Sequence, residues 1–426
     1  MNNLKRHKRD KIPKDWQIVK LKKIISSLNS GIWGKNPDQG NKIFPVIRST
    51  EITHSGKIIL SNVAFRKIPE EKLDKYHLID GDILLVASSG SSHLVGRAAL
   101  FKKFQDNKIY LFSNFILRLR PKNINSTFLF YYLSSPKYQR FLKSLQQTST
   151  GLRNLPKKEL IEFRLLLPPL PEQQKIAEIL STVDKAIEKV DKAIDQTKRV
   201  KKGLMQELLT RGIGHKEFKD TDIGRIPKKW DVFKIRQIAD LQYGYTTSSK
   251  DKNTGIKFLR ISDINKDGKI DWERVPYCEI NESEFKKYKL NIGDVLFARI
   301  GATTGKTAYV DRKINGIFAS YLIRFISFTK NLDPKFFYFF TQSNIYWLQV
   351  QRNKEGQLKK GLNANILGNL LFPLPPLPEQ QKIAEILSTV DERLELLRKR
   401  REKLEKVKKG LMNDLLTGKK RVKLEA

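Results

Sequence analysis

The stretch LPPLPEQQKIAEILSTVD at residues 167–184 recurs without a change at 374–391. Eighteen identical residues at an offset of 207 mark a duplication, and the register continues: VKKGLM at 200–205 returns at 407–412, and Leu208-Leu209-Thr210 returns at Leu415-Leu416-Thr417. Fainter echoes lie upstream of each copy. IPKDW at 12–16 faces IPKKW at 226–230, VIRSTEITHSGKI at 46–58 faces FLRISDINKDGKI at 258–270, and GDILL at 81–85 faces GDVLF at 293–297. FSNFILRLR at 112–120 and FLFYYL at 128–133 are matched by FASYLIRFI at 318–326 and FFYFFT at 336–341. The offsets wander between 206 and 214, as short loop insertions make them. The chain is one half written twice, each half a divergent segment followed by a nearly invariant one. An even drift would not leave that asymmetry, so function has to explain it.

The invariant segments predict long helices. After Pro168, Pro169 and Pro171, and after Pro375, Pro376 and Pro378, no proline follows up to Thr210 or from Glu379 to the end. Glu172 and Glu379 suit a helix N-terminus. A seam with alternating steps of four and three runs through Ile176, Leu180, Val183, Ile187, Val190, Ile194, Thr197, Lys201, Leu204 and Leu208. The second copy keeps it in Ile383, Leu387, Val390, Leu394, Leu397, Arg401, Leu404, Lys408, Leu411 and Leu415. At about 1.5 Å per residue, some 40 residues make a rod of roughly 60 Å. The first helix leads away from one globular unit towards the start of the next near Lys216, and the second returns. An antiparallel pair follows, with a pseudo-two-fold axis and a globular unit at each end. Such a seam also suits ordinary hairpin helices in a core. Its identity in both copies, with the flanking Glu172, Gln173, Glu379 and Gln380, argues for a rigid spacer and a shared docking surface. Lysines and arginines on the other faces, such as Lys185, Lys189, Arg398 and Lys403, read as solvated or protein-facing.

The divergent segments read as irregular mixed α/β modules. Apolar runs at 83–87, 115–119, 295–298 and 321–325 predict strands between Gly, Ser, Asn and Asp turns. The expected layout is a module over 1–168, a helix over 169–211, a second module over 212–375 and a second helix over 376–426. Aromatic clusters around Phe128–Tyr132 and Phe336–Phe340 favour core packing over base stacking.

The chain has 426 residues, 39% hydrophobic and 10% aromatic, enough to bury real cores. Lys and Arg total 82 against 45 Asp and Glu, a net charge of +37 that points to a polyanionic partner, nucleic acid before anionic lipid. A lone Cys278 excludes a disulfide framework and fits a reducing cytoplasm. No apolar run reaches the roughly 18–20 residues of a membrane span, and the basic start MNNLKRHKRDK leads into no signal core.

Candidate DNA contacts are polar or basic residues of loops, where side chains reach base edges and phosphates. In the first module these are Arg48, Ser49, Thr50, Ser88, Ser89 and Arg97; in the second, Tyr245, Thr246, Arg260, Arg299, Thr303, Thr304 and Lys306. Arg48 and Arg260 occur in both copies, which suits either a shared phosphate contact or a structural salt bridge. Positions that differ, such as Ala87 against Arg299, are where different sequences could be read.

Catalytic patterns fail. GATTGKT at 301–307 has three residues between its glycines where a phosphate-binding loop needs four, and SGSSHLVGRAA in the first copy lacks the lysine. No methyltransferase Asn-Pro-Pro-aromatic site exists; the nearest string is Asn36-Pro37-Asp38. His7, His54, His77, His93 and His215 show no metal-ligand spacing.

IPKDW and KDTDIGRIPKKW, GDILLVASSG and GDVLFARIGATTGK, and the doubled PPLPEQQKIAEIL with VKKGLM closely resemble the specificity subunits of type I restriction-modification systems over essentially the whole chain. The resemblance implies two target-recognition domains, each reading one half of an interrupted site on double-stranded DNA, held apart by two antiparallel helices. It also implies two methyltransferase subunits that bind S-adenosylmethionine and methylate adenine, and two translocase/nuclease subunits that use ATP and Mg. This chain would then carry no cofactor and supply address rather than chemistry. The sequence before Trp16 is shorter and less motif-like than that before Trp230, a departure that puts the N-terminal strut in question. Two other readings compete. A standalone nuclease or modification enzyme would act on DNA without partners, and an RNA-binding coiled-coil protein would show no bipartite DNA preference.

Overall fold

In the computed structural model, residues 12–37, 42–145, 154–265, 267–353 and 361–423 are described. The basic start at 1–11, with His7, and Asp38 of the Asn-Pro-Asp string lie outside them. The fold is mixed α/β and divides into two compact units: residues 1–191 with 399–426, and residues 192–398. The two repeated segments are helices of 39 residues each, Leu170–Leu208 and Leu377–Leu415, identical in extent once the offset of 207 is applied. Each unit takes one half of each helix.

In the first unit, the order across the main sheet is Ile25–Ser30, Ile116–Pro121, Ile83–Val86 and Ala98–Leu100, all antiparallel. Ile43–Ile47 lies between Ala64–Lys67 and Leu111–Phe112 in a smaller sheet, and Gln17–Lys20 pairs with Arg164–Leu167 just before the long helix. The second unit repeats the plan. Its main sheet runs Ala239–Tyr243, Leu322–Ser327, Val295–Ala298 and Thr307–Tyr309; Lys257–Leu259 pairs with Gly316–Phe318, and Asp231–Lys234 with Leu371–Leu374. The predicted apolar runs form strands except at Ala87, Phe115 and Tyr321, because the strand side chains face protein on both sides: Ile83–Val86 and Val295–Ala298 are buried throughout.

The aromatic clusters occupy short helices, Ser126–Tyr132 and Pro334–Phe340, capped by Asn125 and Asp333, whose side chains accept from Phe128 N and Phe336 N. Phe128, Tyr132, Phe336 and Phe340 are at most 1% exposed. Each such ring contributes roughly 1.5–3 kcal/mol of burial, which decides for core over base stacking at these positions.

The seam explains how one helix serves two cores. In the first unit Ile176, Ala177 and Leu180 join Met412, Leu415 and Leu416 beneath Phe128 and Tyr131. In the second, Ile383, Ala384 and Leu387 join Leu208 and Leu209 beneath Phe336 and Phe339. The start of each repeat packs into one unit and its end into the other, so each copy must satisfy the same two sets of contacts. Polar seam positions are paired across the helices: Lys408 with Asp184 at 2.7 Å and Arg401 with Asp191 at 2.6 Å in the first unit, and Lys201 with Asp391 at 2.6 Å in the second. The residue numbers of all three pairs add to 592, so the two segments pair antiparallel with the same offset within each unit.

Each helix N-terminus is clamped to its unit by side chains that the sequence reading assigned to a docking surface. Glu172, 1% exposed, accepts from Trp16 Nε1 at 2.9 Å, and Glu379 accepts from Trp230 Nε1 at 3.0 Å. Gln173 accepts from Asn125 N and donates to Pro168 O; Gln380 does the same with Asp333 N and Pro375 O. Ile176, Leu180, Ile383 and Leu387 are fully buried, and Val183 and Val390 are half-buried. Ile176, Leu180, Ile383 and Leu387 thus belong to the chain's own cores.

Of the stretch before Trp16, only residues 12–15 are among the described residues. In the second unit Ile213 N and His215 Nε2 complete the shell of Glu379. In the first, Arg421 from the far end of the chain takes that place, donating to both oxygens of Glu172 and both of Asp15 at 2.7–2.9 Å.

Candidate nucleic-acid interface

Antiparallel pairing brings the end of Ile25–Ser30, the end of Ile83–Val86, the start of Ile116–Pro121 and the start of Ala98–Leu100 to one edge of the main sheet, since Ser30 faces Leu117 and Val86 faces Ile116. Ser88, Ser89 and Arg97 emerge there. The equivalent edge of the second unit carries Arg299, Thr303, Thr304 and Lys306. The smaller sheet feeds a nearby loop: Ile47 and Phe112 end side by side, and Ser113 N donates to Ile47 O, so Arg48, Ser49 and Thr50 leave beside the turn at 113–115.

The candidates differ in freedom. Arg48 makes a forked pair with Glu51, 2.7 Å at the closest, and donates to Asn62 O; Thr50 Oγ1 donates to the same carboxylate. Arg260 repeats the fork on Asp263 at 2.9 Å. Glu51 and Asp263 are 4% and 8% exposed, and hydrogen bonding to them raises both guanidinium pKa values. Of the two roles open for these arginines, the structure shows the ion pair at both. Ser49 is half-buried in the same turn.

Arg97 donates to His54 Nδ1 and Ile52 O, and burial lowers its pKa. Ser88 Oγ donates to Asn154 Oδ1 at 2.6 Å, and Ser89 Oγ accepts from Ser91 N. Arg299 lies over the Tyr243 ring, 5.0 Å from its centroid. Thr304 is turned inward, 2% exposed, its hydroxyl on Gly301 O, while Thr303 and Lys306 are half-buried and Thr246 is exposed. Tyr245 packs against Tyr288. Residues 301–307 join two antiparallel strands and lead into no helix, so the backbone cradle of a phosphate loop is absent.

Two residues escaped the sequence reading. Phe115 and Tyr321 sit at equivalent turns of this edge and are 54% and 55% exposed. The apolar runs at 115–119 and 321–325 predict strand there; the turn hydrogen bonds from Ile116 N to Ser113 O and from Leu322 N to Ala319 O place both residues at a tip.

Among the described residues no group of His, Cys, Asp and Glu could hold a metal ion, and no helix is long and apolar enough to cross a membrane. The architecture is that of a two-module binding protein: duplicated α/β units presenting polar and basic loops at the same sheet edge. Residues 13–196 and 227–406 match the family model of the type I restriction modification DNA specificity domain, and the chain belongs to that family, the specificity subunits of type I restriction-modification systems. It is 32% identical to the type I restriction enzyme MjaVIII specificity subunit of Methanocaldococcus jannaschii, over 97% of this chain and 95% of the relative. Identity to the EcoKI specificity subunit of Escherichia coli is 25%, over 90% of this chain and 82% of the relative. In fold the chain is similar to a crystal structure of the type I system S subunit from M. genitalium, with a TM-score of 0.61 at 14% identity, covering 97% of this chain and 98% of that one.

Proposed function

We propose that each unit reads one half of an interrupted DNA site and that the paired helices fix the distance between the halves. The single observation that carries this is the helix register: ion pairs from one duplicated segment to the other, all adding to 592, in both units. A continuous 39-residue helix of about 58 Å is a ruler on the scale of DNA turns, roughly 34 Å each. Divergence between the units supplies an asymmetric address, and identity of the helices offers two equivalent partners equivalent faces. Because Glu172, Gln173, Glu379 and Gln380 are engaged within the chain, docking falls to the outward faces of the same helices.

In this reading the chain is non-catalytic and cytoplasmic. It recruits two methyltransferase subunits, which supply S-adenosylmethionine chemistry at adenine, and two ATP- and Mg-dependent translocase/nuclease subunits. The +37 charge supplies the salt-sensitive, sequence-independent hold on DNA. The edge residues Ser88, Ser89, Arg97, Tyr245, Thr246, Arg299, Thr303 and Lys306 supply contacts to bases and phosphates, with Arg48, Arg260, Ser49, Thr50 and Thr304 shaping the loops that carry them. Mapping methylated adenines in host DNA with and without this gene tests the reading. It predicts a bipartite, asymmetric motif that disappears with the gene; an unchanged methylation pattern would overturn it.

A further inference from the structure

We infer that Phe115 and Tyr321 are base-contacting wedges, one for each half-site, an inference that rests on the two-half-site reading above. Five large aromatics are exposed among the described residues: Phe65, Phe115, Tyr243, Tyr321 and Phe328. Scattered exposed aromatics are ordinary on a protein surface and carry no meaning singly. Phe115 and Tyr321 differ from the rest because they are the same position in two divergent copies. The counterparts of Phe65, Tyr243 and Phe328 are Tyr277, which is half-buried, Ser30 and Lys122.

Both turns are held rigid from below. Phe112 and Ile116 around the first, and Phe318 and Leu322 around the second, are fully buried. The Phe115 carbonyl accepts from Ala87 N at 2.8 Å, and the Tyr321 carbonyl from Arg299 N at 3.1 Å. The backbone that carries each ring is thereby fastened to the loop that follows the central strand, where the polar candidates emerge. A ring carried on a fixed backbone has only its side-chain rotamer left to set on binding. It can insert at a base step or pack on a thymine methyl at little further entropic cost. The two rings are not equal: Tyr321 adds a hydroxyl that can bond a base edge, which Phe115 cannot.

The test is a titration of the full-length chain with duplexes carrying the mapped motif, base changes in either half, or unrelated sequence. Stacking of an aromatic on a base is lost in F115A and Y321A, so each should bind the motif roughly 5- to 100-fold more weakly. Binding of unrelated duplex, its salt dependence and the melting temperature should stay at wild-type values. Each variant should lose discrimination in one half only, F115A in one and Y321A in the other. F115L, which keeps apolar bulk without an aromatic face, should bind between F115A and wild type, whereas F115Y should resemble wild type. Motif binding by both alanine variants within two-fold of wild type would overturn the inference. If the wild-type chain itself shows no preference for the motif, the two-half-site reading fails and the inference with it. If the wild type discriminates and the variants do so equally, the inference alone fails.

Discussion

Lys201 Nζ lies 2.6 Å from Asp391 Oδ1, and the duplicate of that pair, Lys408 with Asp184, closes at 2.7 Å. Both lysines also lie over a ring of the short aromatic helix, Phe339 in one unit and Tyr131 in the other. A cation at a seam position thus has a carboxylate from the other repeat and a π-face from its own unit, which is why the heptad pattern tolerates it. Side chains about a quarter exposed are screened only in part, so D391K should cost about 1–2 kcal/mol in denaturant unfolding, and K201D a similar amount. The exchange K201D/D391K should recover at least half of the summed loss, because the two sites are in contact and do not act additively. Simple addition of the two losses would contradict the pairing.

The buried clamp should dominate stability at the N-terminus of the first long helix. E172A strands the Trp16 indole N–H and removes the partner that Arg421 shares with Asp15, an expected loss of about 2–4 kcal/mol by thermal or urea unfolding. Arg421 holds the Asp15 carboxyl below its ordinary range. Its stabilising effect is therefore present above the unfolded carboxylate pKa and fades as pH falls through the lowered folded value. R421A should remove that acid-range dependence.

Arg48 and Lys306 should separate in their effects, although both are basic loop residues. R48A leaves Glu51 buried without its cationic partner and should lower stability by about 3 kcal/mol. K306A should reduce the slope of log affinity against log salt by about one. Equal effects of the two substitutions on the salt slope would contradict the assignment.

Cys278 is fully buried, and burial pushes its thiol up to about 11. At pH 8 almost none of it is thiolate, so iodoacetamide should leave the native chain unmodified and alkylate it readily in urea. Reaction at equal rates in both would contradict the packing around Phe258 and Ile317.

The helices were legible because eighteen identical residues state their register twice, and the strands because apolar runs such as ILLV at 83–86 have no polar face to expose. The core role of Phe128–Tyr132 followed from the leucine beside it. Less was legible where a side chain's meaning depends on a distant partner. Glu172 looks like a helix-end carboxylate until Trp16 and Arg421 are placed on it, 156 and 249 residues away. Arg48 and Arg260 read equally as phosphate contacts or salt bridges, and only the fold supplies the fork. Phe115 lies within an apolar run, and nothing local distinguishes a strand residue from the tip of the turn before it.

The central claim, that the paired helices set the distance between two half-sites, is tested most directly by lengthening them without disturbing either unit. Four residues inserted after Asp191 and four before Arg401 fall on matched sides of an ion pair and should add about 6 Å, one to two base pairs at roughly 3.4 Å each. Methylated adenines mapped in a host carrying this variant should show both half-sites unchanged and a spacer longer by one or two base pairs. An unchanged spacer, with methylation retained, would contradict the account.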